Sequence, residues 1–254
     1  MRKLTRLDVG VPLLLLALSL VPTLGGIVRL ARLSDVAPAV PEDARFLDAP
    51  GPVSIHVISA TLFCLVGAFQ FSSGFRVRWP QWHRRAGRAL ALFGLLAGAS
   101  GMWMTSFYAI PASLQGPLLY GVRLAVGLGM VASLLAAWRT ILRGDVPRHE
   151  AFMIRAYALG QGAGTQALVL LPWMLISGES DGHTRDLLMT LSWLINLMVG
   201  ESIIRARSAR RGLAPGCAGE SADAGSPRSI VAPSRRPRAS RPQRGHRLDQ
   251  PGET

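Results

Sequence analysis

Apolar residues fall into six long runs separated by short polar connections, and that pattern predicts the architecture. Each run comes close to or exceeds the about 20 mostly apolar residues that a helix needs to cross bilayer hydrocarbon. The runs are Val9 to about Leu33, Pro52 to about Ser72, Ala89 to about Tyr108, Pro117 to about Leu142, Ala151 to Ile176, and a last one ending near Arg205. The expected fold is all-α: a six-span transmembrane helical bundle followed by a disordered C-terminal tail. A basic start, Met1 to Arg6, followed by an apolar run also suits a signal peptide. The run is long, however, and no small-x-small cleavage site follows Leu13 to Leu20, so an uncleaved helix is expected. Pro12 and Pro22 are expected to bend it.

The polar connections carry a second pattern. Ser34 to Gly51 holds four acids and only Arg45 as a base, Ala109 to Gly116 is uncharged, and Ser177 to Asp186 holds three acids and one arginine. The alternate segments are basic: Arg76, Arg78, Arg84, Arg85 and Arg88 in Ser73–Arg88, and Arg143 and Arg148 in the next. Basic residues in short loops are retained on the cytoplasmic side. The expected location is therefore a cell inner membrane, multi-pass, with both termini cytoplasmic. Trp79, Trp82, Tyr108, Trp138 and Trp173 lie near run ends, as an interfacial aromatic belt requires.

Composition changes this picture little. Mean hydropathy is +0.29, and 17% of the residues are charged, below the roughly 25% of soluble domains. A net charge of +13 by itself suits nucleic-acid binding, but from Arg205 onward eleven arginines face four acids, so the tail holds much of it. Residues 206–254 are rich in Pro, Ser, Arg and Gly without apolar period, and are expected to be disordered. Contact between Arg235–Arg247 and anionic lipid headgroups fits this stretch. No specific nucleic acid is expected, because no aromatic is interleaved for base stacking. Cys64 lies within a span and Cys217 in the tail, which argues against a disulfide framework. The expected organisation is 1–51 first helix and outer loop, 52–176 core membrane domain, 177–205 sixth helix, and 206–254 tail.

Small residues recur at helical spacing: Gly94-x-x-x-Gly98, Ala97-x-x-x-Gly101, Gly121-x-x-x-Ala125-x-x-x-Gly129 and Gly160-x-x-x-Gly164. They suit close helix packing within one bundle, with a homodimer face as the alternative.

Ionisable residues inside spans are costly and are the default functional candidates. These are His56 and Gln70 on one face of the second span, Arg123 in the fourth, Arg155 in the fifth and Glu201 in the sixth, with Gln161 and Gln166 as further polar groups. Arg155 and Glu201 match in depth and oppose in sign, which predicts a structural pair. His83 and His149 open the third and fifth spans at one membrane face, whereas His56 and His183 belong to the other. Four readings stay open. Two histidine pairs at two depths suit a b-type haem protein using His56, His83, His149 and His183. Arg84, Arg88, Arg148 and Arg155 suit an anion or headgroup site. His83, His149 and Glu150 suit a metal. Histidines bonded to loop carbonyls suit none of these.

At these residues a family resemblance enters. His56…Gly67-Ala68-Phe69-Gln70-Phe71, His83-Arg84-x-x-Gly87-Arg88 and His149-x-x-x-Met153-Ile154-Arg155-Ala156-Tyr157 resemble, over about residues 50 to 175, a family of bacterial membrane proteins known as domain of unknown function 2306. The resemblance implies a helical membrane domain in which His56, Gln70, His83, Arg84, Gly87, Arg88, His149, Met153, Arg155 and Tyr157 belong to the family pattern. It implies no reaction. Where the family pattern leads one to expect an arginine further along the fifth span, this chain has Thr165-Gln166.

No Ser-His-Asp arrangement, phosphate loop, CxxC or HExxH motif is present, so no catalytic residue is assigned. Three function classes remain. The first binds or moves an anionic small molecule or lipid headgroup through His83, Arg84, Arg88, His149, Arg155, Tyr157, His56 and Gln70. The second is a b-haem redox protein. The third is a structural or regulatory partner of another membrane protein.

Overall fold

A computed structural model describes residues 5–38, 40–178 and 180–212. Of the tail expected to be disordered over 206–254, residues 206–212 instead continue the last helix, and the remainder lies outside the described residues. Nine α-helices are found among the described residues: α1 (Arg6–Leu33), α2 (Ala44–Leu47), α3 (Pro50–Gly67), α4 (Ser73–Arg78), α5 (Pro80–Phe107), α6 (Pro117–Leu142), α7 (Val146–Gly160), α8 (Gly162–Ser177) and α9 (Gly182–Gly212). Six stretches are long and apolar enough to cross a membrane, with α7 and α8 together forming one of them. No strand occurs among the described residues.

Local chemistry explains the starts. Proline stands in the first turn of α3, α5, α6 and α7, where its missing N–H costs nothing and its fixed φ suits the helix. Thr5 and Asp8 form a reciprocal capping box at α1, Ser72 caps α4, and Asp145 caps α7. Helix α1 runs unbroken through Pro12 and Pro22. Between α6 and α7 the chain turns at Gly144, whose φ of +74° favours a residue without Cβ.

Polar contacts define two faces. At one, here the basic face, Asp8 accepts from Ser73 Oγ at 2.8 Å and Gly74 N at 2.7 Å. There Glu150 gathers Arg76, Arg207 and Arg211, joining α4, the start of α7 and the end of α9. At the far face Asp43 meets Arg29 at 2.7 Å. Tyr108 Oη donates to Ala49 O at 2.6 Å, and Gly116 N donates to Asp186 Oδ1 at 3.0 Å. Successive spans therefore alternate in direction.

The core is small and tight. Phe63, Leu90, Leu134, Ala97 and Ala156 are buried where α3, α5, α6 and α7 meet. A Cβ on Gly98 would lie 3.3 Å from the Gly127 carbonyl oxygen, and one on Gly94 within 2.8 Å of the Phe63 ring. The small-residue motifs of α5 thus hold α3 and α6 close. Outside, large side chains face away from the protein: Ile176 is 85% exposed and Leu14 71%. In water that surface would be untenable; in hydrocarbon it is the expected one.

Three expectations are corrected. Ser73–Arg88 is not an irregular connection: α4 forms there, and α5 starts at Pro80, well before Ala89. The loop after α1 contains a 3-10 turn (Pro41–Asp43) and α2, anchored by the buried Asp43 and Phe46. The fifth span is two helices, interrupted at Gln161. Gly160 and Gly162 flank that break, and Cβ atoms there would run into Phe63 and Trp193.

Candidate functional site

The break in the fifth span organises the interior. Helix interruption leaves backbone carbonyls needing donors, and within a membrane these must come from protein. Trp193 Nε1 donates to Leu159 O at 3.3 Å, and Cys64 Sγ lies 3.5 Å from Gly160 O. Gln161 bonds Ser19 Oγ of α1, and its Nε2 donates to Tyr157 Oη at 2.8 Å. Tyr157 Oη in turn donates to Cys64 O at 2.7 Å. This buried chain ties α1, α3 and α7 together. Thr165 Oγ1 donates to Asn196 Oδ1 at 2.7 Å, joining α8 to α9.

Above the break, toward the far face, lies a cavity of about 370 Å³. Its lower wall is apolar, with Phe63, Met130, Leu159 and Trp193. Its upper part is cationic: Arg45, Arg123 and Arg185 all line it. Arg123 donates to Gln115. Arg45 stacks 4.8 Å over the Phe46 ring. Arg185 Nε is buried without a hydrogen-bond partner, and so is Nε2 of Gln166, a residue only 8% exposed. Asp186, close by, is already engaged by Gly116 N and by Leu119 N at 3.1 Å, so it caps α6 and offsets the arginines only partly. Tyr108 lines the mouth; burial pushes its phenol above its ordinary pKa and keeps it a donor to Ala49 O.

His56 enters the same cavity from α3. Its Nδ1 lies 3.0 Å from Ala97 O and 3.3 Å from Ser100 Oγ. A carbonyl only accepts, so Nδ1 carries the proton and Nε2 of the neutral ring is an acceptor. No described residue bonds that Nε2.

Of the other candidates, His83, Arg84, Arg88 and His149 lie toward the basic face, at the starts of α5 and α7. His149 Nδ1 is held by Ala137 O at 2.9 Å. His83 lies within electrostatic range of Arg76, Arg84 and His149, and its Nδ1 is buried without a partner. Both amide atoms of Gln70 are likewise buried and unpartnered. Arg84 and Arg88 are exposed on α5. Arg155 is committed to Glu201, with Nε to Oε1 at 2.5 Å and Nη2 to Oε2 at 3.1 Å. Tyr157 belongs to the buried chain described above. His183 is exposed at the start of α9 and does not line the cavity. Two axial histidines for a haem are therefore not assembled around this cavity. Among the described residues no three His, Cys, Asp or Glu side chains come together as a metal site would need; Glu150 is occupied by arginines.

The family model described as "Predicted membrane protein (DUF2306)" matches residues 53–204, more than half of the chain. The chain belongs to this family. The match continues into α9, beyond the stretch that carried the resemblance in the sequence, and the chain is a multi-pass helical membrane protein. No curated protein and no solved structure matches it.

Arg45 and Arg185 were not singled out from sequence. The signal was their isolation: each is the lone base of an otherwise acidic connection.

Proposed function

We propose that the protein binds a small anionic molecule, or the acid head of a short amphiphile, in the far-face cavity. One observation carries the reading: Arg45, Arg123 and Arg185 line one cavity that Gln166, whose Nε2 is buried without a partner, also lines. Buried polar groups are almost always paired, so such atoms ask for a ligand or water. Guanidinium groups suit carboxylate or phosphate oxygens, and the apolar floor suits a hydrocarbon body. At about 370 Å³ the volume equals roughly a dozen waters, which favours a compact ligand over a long acyl chain.

The cluster expected at the basic face supports a shallower role. Arg84 and Arg88, exposed on α5, are disposed for contact with lipid phosphates. Arginine asymmetry supports the basic face as the cytoplasmic side of an inner membrane.

The test is titration of the detergent-purified protein with octanoate, dodecanoate and octyl phosphate, read by calorimetry. A charge-assisted hydrogen bond is worth roughly 1.5–3 kcal/mol, so Arg123→Gln and Arg185→Gln should each weaken binding about tenfold or more. Binding unchanged in both variants would remove the proposal.

A further inference from the structure

An aromatic stack leads from the floor of the cavity toward the basic face. Phe63 lines that floor, and its ring centroid lies 5.7 Å from that of Tyr157, which lies 4.6 Å from that of Phe71. Gln70 stands beside the lower end of that stack, next to Phe71 in the same 3-10 turn. Its Oε1 would lie 4.0 Å from a Cβ on Gly87 of α5, one turn along from His83. Neither amide atom of Gln70 finds a partner, and nor does His83 Nδ1. Phe63 and Gln70 are seven residues apart, which is about 10 Å along a helix axis. That is about a third of the roughly 30 Å of bilayer hydrocarbon.

Unpaired polar groups therefore stand near both ends of this aromatic stack: Gln166 in the cavity that Phe63 lines, and Gln70 beside Phe71. A static binding pocket explains the first and leaves the second without a purpose. The stack also lies beside two interruptions of helix. Helix α3 tightens into a 3-10 turn over Ala68–Phe71, and the fifth span breaks at Gln161. The carbonyls at the break are held by long bonds from Trp193 and Cys64. Such bonds are weaker than regular helical ones. Tyr157 packs directly on the α3 backbone, since a Cβ on Gly67 would come within 2.7 Å of its ring.

We propose that the protein is a carrier: the anion bound in the far-face cavity passes the Phe63–Tyr157–Phe71 layer to the Gln70–His83 site by alternating exposure to the two faces. This rests on the reading of the cavity as an anion site.

The experiment uses the full chain with Cys64→Ser and Cys217→Ser, carrying Ala60→Cys on the cavity wall. Right-side-out and inside-out vesicles are exposed to an impermeant sulfonated methanethiosulfonate. A carrier predicts labelling from the far face and, more slowly, from the basic face. It also predicts that Phe63→Ala speeds basic-face labelling several-fold, with Phe63→Leu speeding it less. The milder Leu variant keeps the comparison available if Ala impairs folding. Labelling from the far face alone in all three proteins overturns the carrier and leaves the binding site standing. Labelling from neither face, or from the basic face alone, overturns both.

Discussion

Gly164 and Gly121 both belong to small-residue motifs in the sequence, yet they meet different surroundings. A Cβ on Gly164 would run into the backbone carbonyl of Leu18, whereas one on Gly121 meets nothing within 4 Å. Backbone cannot step aside as a flexible side chain can, and overpacking of this kind costs about 1–3 kcal/mol. In an open helical position, Ala instead gains about 0.5–1 kcal/mol over Gly. Gly164→Ala should therefore lower the thermal midpoint of the detergent-solubilised protein by several degrees, and Gly121→Ala should leave it equal or raised. Comparable loss in both would mean that Gly121 is covered, as the homodimer reading of its motif requires. The same contrast explains which site residues were legible. His56, Arg123 and Gln166 stood out because a polar group in an apolar run is conspicuous. Arg45 and Arg185 did not, because they sit in polar connections where charge is ordinary; only the fold brings them over the same cavity.

At the scale of elements, the spans were readable because lipid imposes one requirement on every crossing: a continuous apolar helix. The break at Gln161 was not readable, because the apolar residues on both sides form one uninterrupted run and Gly160-Gln161-Gly162 looks like packing glycine. What makes the break tolerable is tertiary: Ser19, Cys64, Tyr157 and Trp193 come from α1, α3, α7 and α9 to bond the groups around it. Tyr157 is central, accepting from Gln161 and donating to Cys64 O. Tyr157→Phe keeps the ring against Phe63 and Phe71 but removes both hydrogen bonds of the hydroxyl, leaving Cys64 O with Ala68 N–H and Gln161 Nε2 with Ser19 Oγ. Each hydrogen bond lost is worth about 0.5–1.5 kcal/mol. The expected outcome is a clear drop in thermal stability, with faster hydrogen exchange around residues 157–166. Unchanged exchange there would show that the break does not depend on this chain of bonds.

For the whole molecule, orientation decides what the cavity faces. The basic face exposes Arg84, Arg88, Arg143 and Arg148, and among the described residues Arg148 pairs with Asp145 on the surface. At the far face, Arg29 and Arg32 are drawn to the buried Asp43, and Arg45, Arg123 and Arg185 line the cavity. Membrane insertion counts basic residues in short loops and near helix ends, with little weight for acids. On that count the turn at Gly144, between Arg143 and Arg148, is held back more strongly than the connection at Gly116, which carries no charge from Ala109 onward. Alkaline phosphatase fused after Gly116 should therefore be active outside the cytoplasm, and the same reporter after Gly144 should be silent. The reverse result would turn the cavity toward the cytoplasm and change its ligand pool without touching the bundle. Activity at both points, or at neither, would be incompatible with α6 crossing the membrane. In that case the alternation that aligns the arginines, the cavity and the aromatic layer along one axis would have no physical basis.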